Sequence, residues 1–334
     1  MEFKELGKSG IKVSAIGLGT WQWGAREWGW GRQYGRTEVL AAFQKALESG
    51  INFIDTAEIY GRGKSERLIG EAIRGHREEV VIATKVWPWN LTSRRLVHAA
   101  DRSARRLGVD VIDLYQIHWP NPIFPIHNTM RNMKRLVQLG KVRSIGVSNF
   151  NLTRTKVSQE ALSPLELASN QVEYNLVDRG IESELLPYAQ SSNVTIIAYS
   201  PLAGSLLTGT YTAQHNPTSL VQAANPRFSS RNLDRMSPLQ QTLSSIASAH
   251  GKTRAQVALN WLISKPNVVA IPGAKKPEHV ADSAGATGWR LTESEAKQLE
   301  SAASEIIFDK FSGIPNLIRA VLGEIMPTKH PASR

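Results

Sequence analysis

Residues 51–61 read Ile51-Asn-Phe-Ile-Asp55-Thr-Ala-Glu-Ile-Tyr60-Gly61. Apolar side chains run up to an aspartate, and a short turn beyond it carries a tyrosine. The pattern returns further along the chain: Val80-Val-Ile-Ala-Thr-Lys85 ends on a lysine, and Ile112-Asp-Leu-Tyr-Gln-Ile-His118 ends on a histidine. Runs that are apolar at both alternating positions are strands covered on both faces. The segments between them are long enough for helices, and a parallel pair needs a crossover of a dozen or more residues.

Working outward, further apolar runs fall near 15–20, 144–149, 168–174, 195–200 and 268–273. Helical spacing fills the gaps near 37–49, 65–75, 93–107, 127–139, 151–161, 182–192, 239–264 and 277–285, as where Leu40, Phe43, Ala46 and Leu47 fall on one face. Eight strand–helix units predict an α/β chain closed as a (β/α)8 TIM barrel. A doubly wound sheet would want G-x-G-x-x-G after its first strand; Gly17-Leu-Gly19-Thr20-Trp21-Gln22 lacks the third glycine. Phe3 to Val13 reads as a hairpin about Lys8-Ser9-Gly10 that plugs the barrel floor. Residues 1–304 then form one barrel domain. Residues 202–238, rich in Ser, Asn, Thr and Pro, form a loop long enough to suggest a function, here a cover over the active-site face. Residues 305–334 carry an apolar patch, Ile314 to Met326, as an extension of unassigned role.

The 334 residues, 41% hydrophobic, suffice for a large core without covalent staples. The absence of cysteine excludes disulfides, thiolate metal sites and cysteine nucleophiles. No His-Glu-x-x-His occurs, so no metal site is expected. The first ten residues lack the apolar stretch of a secretory signal, and no run of ~18 apolar residues is present to span a membrane. A soluble protein of the cytosol or a plastid-like compartment is expected. The net charge of +11 is spread along the chain, as at Arg94, Arg95, Arg102, Arg105 and Arg106, which suits solvated helix faces better than a nucleic-acid surface.

In such a barrel the active site sits at the carboxyl ends of the strands. Asp55, Lys85 and His118 each end a strand, and Tyr60 follows on the next loop. A carbonyl that accepts hydride becomes an alkoxide and needs a proton. A free phenol, with a pKa of about 10, is a weak donor at neutral pH, and an adjacent ammonium lowers that value. Lys85 is expected to supply the charge, Asp55 to hold Lys85, His118 to hydrogen-bond the carbonyl oxygen, and Tyr60 to give the proton. Trp21, Trp87 and Trp119 closely follow residues at the mouth. They read equally as walls of an aromatic substrate pocket and as core filling.

Together these residues resemble the aldo-keto reductases, over about residues 3–304. Gly17-Leu-Gly-Thr-Trp21 is similar to the family's first strand, and Asp55, Tyr60, Lys85 and His118 match its catalytic tetrad in order and spacing. Gly146-Val-Ser148-Asn149 and Asn170-Gln171 resemble segments that hold a nicotinamide carboxamide. Tyr199-Ser200-Pro201-Leu202 is similar to the segment that stacks an aromatic on the nicotinamide ring, and Ile271-Pro272-Gly273-Ala274-Lys275-Lys276 resembles the adenosine-phosphate site. The resemblance implies cofactor contacts from Gly19, Thr20, Trp21, Asp55, Ser148, Asn149, Gln171, Tyr199, Ser200, Pro201, Leu202, Gly273, Lys275, Lys276, His279 and Ser283. Residues 198–209 look like the longer bacterial and plastid branch.

Lys275 stands where the family often has arginine, and His279 and Ser283 where it often has glutamine and asparagine. Lysine is a point charge rather than a bidentate fork, yet Lys275 and Lys276 still favour NADPH over NADH. His118, replaced by glutamate in relatives that reduce C=C bonds, implies carbonyl reduction of a small aldehyde or ketone. The alternative is an NADPH-binding regulatory subunit with slow turnover, docking through residues 305–334. Tyr60-Gly-Arg-Gly63-Lys64-Ser65 resembles the end of a phosphate-binding loop, but that loop needs glycine where Glu58 stands. Ser65 reads instead as the N-cap of a helix opening with Glu66 and Arg67.

Overall fold

The computed structural model describes residues 1–309, apart from positions 216 and 218. Strands β1 (Phe3–Glu5) and β2 (Lys12–Ser14) pair as an antiparallel hairpin. Eight parallel strands follow in sequential order: β3 (Leu18–Gly19), β4 (Phe53–Asp55), β5 (Val81–Val86), β6 (Ile112–Ile117), β7 (Val142–Ser148), β8 (Leu167–Glu173), β9 (Thr195–Tyr199) and β10 (Val268–Ala270). The sheet closes on itself. Gly17 N donates to Ala270 O (2.8 Å), Gly19 N to Pro272 O (3.0 Å), and Ala270 N to Ala15 O (2.9 Å). Helices fill every crossover, from Arg36–Glu48 between β3 and β4 to the pair Ser237–His250 and Arg254–Ile263 before β10. The chain is a (β/α)8 barrel.

The period-2 alternation sorts the strand residues into two apolar cores. Phe53, Val81, Ala83, Leu114, Ile197, Val269 and Ile271 point inward. Ile54, Ile82, Tyr115, Ile117 and Val147 point outward under the helices. The hairpin contributes Leu6, Ile11 and Val13 to the inner core. Gly7 N donates to Thr195 Oγ1 (2.8 Å) at the start of β9, which places the hairpin across the barrel floor.

Two expectations are corrected. The predicted helix 239–264 is two helices, because Gly251 adopts a left-handed φ of 60° that ends the first. Thr253 and Gln256 then cap the second reciprocally. Ser65 is not an N-cap: the helix Lys64–Ala72 starts after Gly63, and Ser65 is buried within its first turn. Residues 202–238 are not structureless. They hold the turns Ala203–Thr208 and Pro226–Phe228 and the short helices Leu220–Ala223 and Ser230–Arg235. The patch Ile314 to Met326 lies outside the described residues.

Candidate active site

The inward alternation that fills the barrel with apolar residues ends, at the carboxyl rim, in polar ones. Asp55 follows Phe53 inward on β4, Lys85 follows Ala83 on β5, and Gln116 and His118 follow Leu114 on and just beyond β6. Lys85 Nζ, fully buried, donates to Asp55 Oδ1 (2.6 Å), Thr56 O (2.7 Å) and Tyr60 OH (3.4 Å). The second Asp55 oxygen accepts from Gln171 Nε2 (2.8 Å) and Gln116 Nε2 (3.4 Å). Tyr60 stands on the short turn Tyr60–Gly63, edge-on to His118 with ring centroids 5.6 Å apart. That turn needs glycine at 61: its φ is 53°, and a Cβ there would approach the Gly24 carbonyl to 2.9 Å. Behind it, buried hydroxyls brace the rim, with Ser65 Oγ bonded to Thr20 Oγ1 (2.7 Å) and Thr56 Oγ1 (2.8 Å).

The protonation states correct one expectation. Burial, and then the Asp55 carboxylate, push the Tyr60 phenol well above its ordinary value rather than below it. The Lys85 charge is largely matched by Asp55 at 2.6 Å, so it does little for a phenol at 3.4 Å. Burial also pulls the Lys85 ammonium below its ordinary value, and Asp55 opposes that. Burial, reinforced by Lys85, lowers the His118 imidazole to about 3. The arrangement therefore stores a protonated phenol beside a neutral histidine.

A cavity of about 660 Å³ opens above these residues. Along one side lie Gly19, Thr20, Trp21, Ser148, Asn149, Gln171, Tyr199, Ser200, Pro201 and Leu202, and it continues to Gly273, Lys275 and His279. Tyr199 OH donates to Asn149 Oδ1 (3.0 Å), and Ser148 Oγ to Gln171 O (2.9 Å). Of the expected cofactor residues, Lys276 and Ser283 are not on the lining. Lys276 is exposed ahead of the helix Pro277–Ala284, and Ser283 is buried within that helix.

The model of the aldo/keto reductase family matches residues 15–304. The chain belongs to that family. An oxidoreductase of Mycobacterium tuberculosis is 43% identical over 301 residues, covering 90% of this chain and 93% of its own. The chloroplastic pyridoxal reductase of Arabidopsis thaliana is 39% identical, covering 88% and 84%. An aldo/keto reductase of Klebsiella pneumoniae, solved with NADP and acetate, superposes with a TM-score of 0.71 at 34% identity, covering 90% and 95%.

In this aldo/keto reductase the tryptophans divide by position. Trp23 and Trp261 are fully buried core. Trp21, Trp87 and Trp119 line the cavity, with Trp21 and Trp119 each more than 40% exposed. Several lining residues escaped the sequence reading: Gln22, Trp28, Tyr211 and Gln222. They sit on loops and on helical turns of three or four residues, too short for a period to mark which side chains turn inward. Gln116 also escaped the sequence reading, although it shares the inward face of β6 two residues before His118. Among the described residues no helix is long and apolar enough to cross a membrane.

Proposed function

We propose that this oxidoreductase reduces aldehyde or ketone carbonyls to alcohols with NADPH, with Tyr60 as proton donor. The observation that carries the reading is the contact of Lys85 Nζ with both Asp55 Oδ1 (2.6 Å) and Tyr60 OH (3.4 Å), beside His118 and under one cavity. The donor set of that cavity fits a dinucleotide: hydroxyl and amide groups of Ser148, Asn149 and Gln171 near the tyrosine, and a lysine beyond Gly273. Its volume is that of a small-molecule site. When bound, the nicotinamide supplies hydride.

The chain's own residues do the rest. Tyr60 holds a proton 3.4 Å from Lys85. An alkoxide is a far stronger base than a phenolate, so the raised phenol still gives its proton, while the Lys85 N–H 3.4 Å away keeps the phenol oxygen in place. His118, kept neutral, donates a hydrogen bond to the carbonyl oxygen. Asp55 and its two glutamine donors fix the lysine. Trp21, Trp87 and Trp119 wall the substrate side and favour apolar or aromatic carbonyls. The name pyridoxal reductase on a relative, pyridoxal being an aldehyde, and the NADP in the Klebsiella structure support substrate class and cofactor. In Tyr60→Phe, NADPH oxidation over a panel of aldehydes and ketones is expected to fall ~10²–10⁴-fold. NADPH binding, followed by tryptophan fluorescence, is expected to stay. Undiminished turnover in the variant removes Tyr60 from the reaction, and absent NADPH binding removes the cofactor assignment.

A further inference from the structure

Lys275 is the only lysine or arginine among the described residues that line the cavity. Its ammonium does not swing free. It donates to Trp28 O (2.9 Å) and lies 4.9 Å from the centre of the Tyr34 ring and 5.4 Å from that of Trp28. Both rings are buried. They belong to the loop between β3 and the helix Arg36–Glu48, a loop fastened at several points. Trp23 Nε1 donates to Ala274 O (2.9 Å), one residue before the lysine, and Tyr34 OH donates to Gln22 O (2.6 Å). The Trp21 ring meets Trp28 edge-on at 5.1 Å. The loop thus runs from the tyrosine end of the cavity to Lys275 and grips it there.

A second observation comes from the same wall. Trp28 Nε1 and Gln22 Oε1 are buried with no hydrogen-bond partner, and both residues line the cavity. Buried polar atoms are rarely left unpaired, and an exception on a cavity wall is open to a water or a bound group. An unpaired indole N–H in a cavity that has one fixed ammonium suits an anionic, hydrogen-bonding ligand. Glu27, also on the lining, is exposed to solvent and so is screened.

We propose that Trp28 and Tyr34 are positioning residues for cofactor specificity, clamping Lys275 as a preset post for the 2′-phosphate of NADPH. The proposal rests on the NADPH reading above and deepens it. A free lysine is a flexible point charge that must be ordered when it binds phosphate. Here two aromatic faces and one carbonyl order it beforehand. Only one of its three N–H groups is used by Trp28 O, which leaves the others for the ligand. The rings attract the cation without neutralising it. By this device a lysine, rather than an arginine, is ordered in advance for the 2′-phosphate.

Calorimetric titration with 2′,5′-ADP and with ADP tests the clamp apart from turnover. Wild type is expected to bind 2′,5′-ADP more tightly, and Lys275→Met to erase the difference. Tyr34→Leu and Trp28→Leu are expected to lose roughly tenfold in 2′,5′-ADP affinity, with ADP unchanged and Tyr34→Phe close to wild type. Leu variants that keep the wild-type ratio, or weaken both ligands equally, overturn the clamp. A wild type with no preference overturns the NADPH reading instead, and the clamp falls with it. Should the Leu variants not fold, lysine footprinting of wild type decides. Protection of Lys275 from acetylation by 2′,5′-ADP but not by ADP supports the proposal, and equal labelling refutes it.

Discussion

His118 is 9% exposed and has Lys85 near by, and both circumstances disfavour the imidazolium. Folding therefore lowers its pKa from 6.5 to about 3. Above the unfolded value both states carry a neutral ring and nothing changes. Below it the unfolded chain takes up the proton and the folded chain does not, so stability is lost as pH falls from about 6.5 towards 3. The loss reaches about 1.4 kcal/mol per pH unit. Urea melts at about pH 7 and about pH 5 are expected to show this loss, and His118→Gln to flatten it by about that amount per unit. Equal slopes in the two proteins mean that other groups govern acid stability. Asp55, Lys85 and His118 could be read from the sequence because they close a period-2 pattern, and Tyr60 because it follows Asp55 on the next loop. Their protonation could not. The cancellation of Lys85 by Asp55 depends on a 2.6 Å contact between residues 30 positions apart.

At the scale of elements, strands and helices were legible within a few residues where the period ran uninterrupted, and the helix Glu293–Ser304, whose buried residues are only Leu299 and Ala303, was missed. Legibility failed where single residues decide. Gly251 splits one apparent helix in two, and Gly63 rather than Ser65 precedes another. The segment 202–238, expected from the sequence as a cover over the active-site face, sends Leu202, Gly204, Ser205, Tyr211 and Gln222 to the cavity, a choice of side chains that no period marks. Arg227 ties this segment to the barrel rim, pairing with Asp178 and, at 3.8 Å, with Glu173 at the end of β8. Arg227 donates from both terminal nitrogens to the Asp178 carboxylate (2.5 Å each), in a partly buried, bidentate geometry. A charged hydrogen bond of this kind is worth about 1.5–3 kcal/mol. Asp178→Asn is therefore expected to open the segment at least about tenfold more often. Faster proteolysis within 203–235, with an almost unchanged melting temperature for the barrel, would show it. A cleavage rate equal to wild type would mean that the other contacts hold the segment alone.

For the molecule as a whole, the barrel keeps its chemistry and its plug at opposite ends. The inner core begins at the floor with Leu6, Ile11 and Val13 of the hairpin and passes through Phe53, Ala83, Leu114 and Ile197. It stops where Asp55, Lys85 and Gln116 begin. Leu6 is fully buried in the inner core, inside the ring of eight strands. Truncation leaves a cavity in a rigid ring, and such losses run to about 2–5 kcal/mol. The floor of this architecture serves stability and the rim serves chemistry. Leu6→Ala is therefore expected to lower the unfolding free energy by an amount in that range. Just below the shifted melting temperature, kcat and KM of the folded fraction should equal those of wild type. Equal constants would show that layers of packed apolar side chains insulate the Lys85–Asp55 pair from the floor. A drop in kcat/KM at full folding would show instead that the plug presses on the rim through the inner core, and that the barrel transmits strain along its axis.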